Sequence, residues 1–197
     1  MEKPEEHLAV RPHAKMMEVL KNPDAFGPPV HYYMIRGGSD RRNITVWEPG
    51  KVGDEYIKTY GHYHIGQLDE TYWILFGEGV VLQQKLVSEN GQAAVDRVET
   101  FRALPVKPGD SVYMSPGMGH LVANTGNTYL VTADDSPVNF GDLDPIAMPG
   151  HADYEMVKQM HGFAYYVVEH DGKPALAKNP LYKEVKSFDP GGLPLVG

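Results

Sequence analysis

The chain has 197 residues, 42% hydrophobic and 22% charged, with a formal net charge of −8 and no cysteine. That length can bury a core without a disulfide or metal staple, and the composition is that of a soluble globular protein. The negative charge argues against nucleic acid and membranes as partners, and the lack of thiols excludes disulfides, thiolate nucleophiles, iron–sulfur clusters and cysteine-based zinc sites and suits a reducing cytoplasm. The opening MEKPEEHLAVRPH has no apolar stretch of the kind a secretory signal needs, and no segment approaches the ~18 apolar residues of a membrane span.

Residues 1–29 read as an N-terminal extension, with a short helix over Met16 to Lys21 and a turn-rich connector over 22–29. Val30 to Ile35 (VHYYMI) is rich in β-formers and predicts a strand. From Ile44 short apolar runs follow at 44–47, 55–60, 70–76, 79–87, 93–101, 111–114, 120–125 and 128–133, separated by Gly-, Pro- and Asn-rich turns. Many short strands without intervening helices predict an antiparallel sandwich or jelly roll, with a barrel core over 30–135. Beyond Pro149, Ala152 to Met160 predicts one short helix, and the following stretch a hairpin turning at Asp171-Gly172. The final DPGGLPLVG has no periodicity and reads as an irregular tail. The whole chain, 1–197, is expected to be a single domain, with 150–182 adding the helix and hairpin.

His62 and His64 alternate along a predicted strand, so both imidazoles project from one face. Glu70 opens the next strand, where a hairpin would return its carboxylate beside the two rings. His120 follows the turn signal Pro116-Gly117. Three imidazoles and one carboxylate make a mixed N/O ligand set that suits Fe²⁺, Mn²⁺, Ni²⁺, Co²⁺ or Zn²⁺. Trp73 alternates to the other face from Glu70 and Tyr72 and is expected in the core.

At these residues the chain resembles the cupin superfamily. Its first motif is matched by His62, His64, Glu70 and Gly77, and its second by Gly109, Pro116, Gly119, His120 and Asn124. Within cupins it resembles the archaeal-type glucose-6-phosphate isomerases, through PGKVGDEYIKTYGHYH at 49–64, ETYWILFGEG at 70–79, PGDSVYMSPGMGH at 108–120 and the GHADY segment from 150. The resemblance implies an all-β cupin fold, a double-stranded β-helix or jelly-roll barrel with a short helix and added strands at the termini. It implies one divalent metal ion, Fe²⁺ first among the candidates, on His62, His64, Glu70 and His120. It further implies a sugar phosphate substrate, contacted by Thr45, Thr59, Gly61 and His151 with Tyr32, Tyr72 and Tyr154 lining the pocket, and a homodimer. Where the family has an aromatic residue shortly before the third histidine, this chain has Gly117.

The residues suit that chemistry. Threonine hydroxyls, the Gly61 N–H and His151 are short-range donors for a phosphate, and a glycine lets a ligand approach the backbone. Glu70, the only acid in the motif, is the candidate base for moving hydrogen between an aldose and a ketose, by an enediol or beside a hydride shift. Tyr72, two residues on along the same face, is placed to donate to a sugar hydroxyl or to Glu70. Two other readings share the ligand set: a metal cupin of another kind, such as a dioxygenase, and a non-catalytic sugar-binding cupin.

Overall fold

The computed structural model describes residues 8–37, 43–136 and 152–197. The described residues open with β1 (Leu8–Pro12), α1 (His13–Met16) and one 3-10 turn (Met17–Val19). They continue through β2 (Val30–Ile35), β3 (Asn43–Trp47), β4 (Lys51–Val52), β5 (Glu55–Tyr56) and β6 (Tyr63–His64). Then come β7 (Glu70–Phe76), β8 (Gly79–Glu89), β9 (Gln92–Val106), β10 (Ser111–Met114), β11 (Gly119–Asn124) and β12 (Leu130–Asp134). The last part holds β13 (Ala152–Asp153), α2 (Glu155–Gln159), β14 (Tyr165–His170), β15 (Lys173–Lys178), β16 (Glu184–Asp189) and β17 (Leu195–Val196).

Two sheets enclose the core. One has the order β1-β2-β3-β12-β7-β10, the other β11-β8-β9-β16. Alternation along the strands turns one side chain in two inward, so Trp47 and Ile74 of the first sheet and Leu82 and Val122 of the second meet in one buried apolar cluster. This is the jelly-roll barrel of the cupins, all-β with two short helices among the described residues. A five-stranded sheet, β17-β15-β14-β5-β4, is added beside it.

Turn chemistry sets the registers. Asp171 (φ 52°) and Gly172 (φ 75°) close the β14–β15 hairpin as a two-residue turn with both residues left-handed, the twist that suits a hairpin. Asn90-Gly91 does the same for β8 and β9, where Glu89 faces Gln92. β9 runs on to Val106 through Pro105, past the predicted end at 101. Its second neighbour, β16, has already ended opposite Arg102, so the missing N–H of Pro105 breaks no ladder on that side.

Some expectations are corrected. The extension contains a strand, β1, paired along β2. The helix after it starts at His13 and its 3-10 continuation ends at Val19, because Leu20 is already extended (ψ 148°). The tail is not wholly irregular: β17 pairs parallel to β15. β16, absent from the sequence reading, pairs parallel to β9. Trp73 lies on the face opposite Tyr72, as alternation requires, but is half-buried rather than in the core.

Candidate metal centre

The stretch after β5 runs antiparallel to β11. Thr59 N–H donates to the Val122 carbonyl, and His62 and His120 exchange N–H···O bonds of 3.2 and 3.0 Å. His62 and His120 are thereby direct cross-strand neighbours, and His64, two residues on, shares the inward face of His62. No hairpin joins His64 to Glu70; β6 pairs with β13 instead. Glu70 arrives through β7, whose first residue is paired to Met114 of β10. Gly119, just before His120, is required by close approach: a Cβ there would stand 2.5 Å from the Tyr63 ring.

One donor atom from each of His62, His64, Glu70 and His120 lies within 4.8 Å of the others. Ring centroids are 4.4 Å apart for His62 and His120, 5.0 Å for His64 and His120, and 5.1 Å for His62 and His64. Glu70 Oε2 is 3.0 Å from His120 Nε2 and 3.4 Å from His64 Nε2. Two donors each ~2.1 Å from one ion at a right angle stand about 3 Å apart, so these separations suit a shared cation. His64 Nδ1 lies 3.2 Å from the Leu68 carbonyl, which fixes that nitrogen as the N–H and leaves Nε2 as the lone pair. Apart from their contacts with one another, Glu70 Oε2 and both His120 nitrogens are buried without a hydrogen-bond partner. Buried polar atoms aimed at one point without hydrogen bonds fit a metal ion, and the four side chains form a group able to hold one.

Burial acts to raise the Glu70 carboxyl, but the imidazoles of His120 and His64 outweigh it and hold the group well below the usual carboxylate range. Burial, with the Glu70 charge next, pushes the Tyr72 phenol well above its ordinary value, so it stays a proton donor. Its ring stands edge-on to His120 at 5.4 Å. Tyr154 packs 5.3 Å from His62 and edge-on to Tyr60 at 5.4 Å, beside a hollow of about 310 Å³ also lined by Lys15, Ile65 and Lys158.

The other candidate substrate contacts are spread over this region. Tyr32 is buried, and its oxygen accepts from Arg11 Nε at 3.0 Å and from the Tyr60 N–H at 3.3 Å. Thr45 faces inward on β3, between Met34 and Thr132. Thr59 Oγ1 accepts from the Val122 N–H at 2.9 Å, leaving its own proton to donate elsewhere. Gly61 has φ 82°, and the position of its absent Cβ is bounded by Phe163 and Leu121, so core packing as well as backbone conformation calls for glycine there. Gly117 lies in the turn closed by Met118 N–H to Ser115 O, where a side chain would meet nothing. His151 lies outside the described residues.

Three buried polar residues not singled out by the sequence share this interior. Asp134 accepts from Asn43 Nδ2 and Ser136 Oγ, each at 2.6 Å. Burial, with the Glu70 charge second, pushes its carboxyl up to about 8. Arg11 and Arg36 are buried on the same sheet.

The barrel and the group of three imidazoles and one carboxylate at its centre define a cupin with a candidate metal site. The glucose-6-phosphate isomerase (GPI) family profile matches residues 33–183, and the chain belongs to that family. The glucose-6-phosphate isomerase of Thermococcus litoralis is 37% identical over 71% of this chain and 62% of its own length. That of Thermococcus kodakarensis is 36% identical over 71% and 63%. The chain thus matches somewhat under two thirds of the length of these curated relatives. A solved structure of a predicted oxalate decarboxylase from Thermotoga maritima aligns with a TM-score of 0.37 and 25% identity, over 52% of this chain and 76% of that one.

Proposed function

We propose that the protein interconverts glucose 6-phosphate and fructose 6-phosphate at this site, using one divalent cation on His62, His64, Glu70 and His120, with Fe²⁺ the first candidate. The observation that carries the reading is the convergence of these four side chains under Tyr72 and Tyr154 in a chain 37% identical to a protein named for that reaction. A cation bound there would polarise the sugar oxygens and offset the charge that develops on them.

The remaining work falls to the side chains. Glu70, kept deprotonated, takes the proton from sugar C2 and returns it to C1, while the hydroxyl proton of O2 passes to O1. Tyr72 keeps its phenol proton and donates to a sugar oxygen. Tyr154 covers the histidines and excludes water from the reacting carbons. Thr45, Thr59, Gly61 and His151 contact the sugar phosphate.

The test is to strip the full-length protein with a chelator, add back single metals, and assay both directions of the glucose 6-phosphate to fructose 6-phosphate conversion. Turnover restored by Fe²⁺, Mn²⁺, Ni²⁺, Co²⁺ or Zn²⁺ supports the reading. Oxygen consumption without isomerisation would replace it with an oxygenase, and protection by glucose 6-phosphate without turnover would replace it with a binding protein.

A further inference from the structure

Neither the histidine cluster nor the apolar core accounts for two cations sealed inside this barrel. Arg11 is 1% exposed and Arg36 9%. The pairing of β1, β2 and β3 sets Arg11 opposite Tyr32 and Tyr32 opposite Trp47, all on the inner face. Arg36 follows β2 on the Tyr32–Met34 side, with Nη2 3.8 Å from the Met34 sulfur. Arg11 gives its Nε–H to Tyr32, and its guanidinium lies 5.6 Å from the Tyr32 ring centre. Arg11 Nη1 is buried with no hydrogen-bond partner.

Among the described residues, no carboxylate forms an ion pair with either guanidinium. Among the described residues, the acid whose charge acts on Arg36 is Asp134, and its Oδ1 is taken up by Asn43 and Ser136. The charge of Arg11 acts on Arg36, and both act on Tyr154, which packs on His62. A buried guanidinium cannot shed its charge, so two of them buried in one barrel interior are costly unless an anion meets them. Their planar forks suit the oxygens of a phosphate, and in a chain of net charge −8 only such local donors can hold an anion.

We infer that Arg11 and Arg36 form a clamp for a phosphate monoester and thereby fix which end of the sugar reaches the histidine cluster. The inference rests on the proposed reaction for the identity of the ester, and adds two residues to the hydroxyl and backbone contacts already assigned to the sugar phosphate.

The test uses metal-loaded, full-length protein titrated with inorganic phosphate, glucose 6-phosphate and free glucose. Wild type should bind the first two and not the third. Arg36→Gln should weaken both anions and raise KM by about ten- to a hundredfold, with metal content and cooperative unfolding retained and kcat changed much less. Arg36→Lys should recover part of the loss, and Arg11→Gln should abolish the rise in Tm that phosphate gives wild type. Wild type that ignores inorganic phosphate, or a folded Arg36→Gln that binds it as wild type does, overturns the clamp. Phosphate binding lost in the variant, in a protein that never isomerises, upholds the clamp and overturns the reaction. Turnover with unchanged KM in the variants does the reverse.

Discussion

His62 and His120 are joined by a reciprocal pair of main-chain hydrogen bonds, 3.2 and 3.0 Å, while their rings meet 4.4 Å apart. The candidate ligands are thus set by the barrel's own backbone, on strands rather than on loops. Such a site is held in place before any ion arrives, and loading it should stabilise the fold as a whole.

Removing the metal should therefore lower Tm, and Fe²⁺ or Mn²⁺ should restore it. An ion present at 100 times its dissociation constant adds about 2.7 kcal/mol. His120→Ala should bind less than one tenth of the wild-type metal by elemental analysis, and its Tm should no longer respond to a chelator. A His120→Ala protein that keeps a full equivalent of metal would remove His120 from the ligand set.

Glu70→Gln keeps the shape of the side chain and removes the charge that the imidazoles of His120 and His64 sustain. Isomerase turnover should fall by roughly 10²- to 10⁴-fold, the usual worth of a positioned acid–base group. In deuterated water part of the proton held by Glu70 should exchange before delivery, so that some wild-type product carries deuterium at the carbon that gains hydrogen. Product still free of deuterium after repeated interconversion to equilibrium would reassign the transfer to a hydride shift and leave Glu70 to orient the hydroxyls.

The group of three histidines and one glutamate was legible as a candidate in the sequence because most of its signals are local. Two histidines two apart share a strand face, and a Pro-Gly turn announces the strand that carries the third. The hairpins at Asn90-Gly91 and Asp171-Gly172 were legible for the same reason, since both turn residues tolerate positive φ. Arg11, Arg36 and Asp134 were not legible. They meet only through the order β1-β2-β3-β12, which brings together residues more than a hundred positions apart and leaves no local pattern. β16 was missed because it is largely exposed, without the alternation of a half-buried strand, and because its parallel partner is set by no turn.

A second buried pair should behave very differently from the metal ligands. Lys58 Nζ lies 2.8 Å from Glu55 Oε1 and donates to the Val19 carbonyl at 2.6 Å, while Glu55 Oε2 accepts from the Lys21 N–H at 2.7 Å. The pair pins the end of the 3-10 turn to the added sheet. Burial raises the Glu55 carboxyl, and Lys58 opposes that rise. Lys58→Met leaves a buried acid without its cation and should cost about 3–5 kcal/mol in urea denaturation. Lys58→Met combined with Glu55→Leu should recover most of it. A single variant within 1 kcal/mol of wild type would show that the charges are not paired in solution.

His31 should make the fold acid-sensitive independently of the metal centre. It is fully buried, with Nε2 3.0 Å from His13 Nδ1. Burial first, then the charges of His13 and Lys58, push its imidazole down to about 3. An unfolded histidine titrates near 6.5. Above that value both states are neutral and His31 contributes no pH dependence. Between about 6.5 and 3 the unfolded chain takes up a proton that the folded protein refuses, so stability falls as pH falls, by up to ~1.4 kcal/mol per unit. His31→Gln removes the proton acceptor, so urea unfolding measured from pH 7 to pH 4 should show a shallower loss than wild type by up to that slope. Because the metal ligands titrate alike in both proteins, the difference between the two curves isolates His31. Parallel curves would mean that the ring is protonated in the folded state, with its charge shared across the contact to His13.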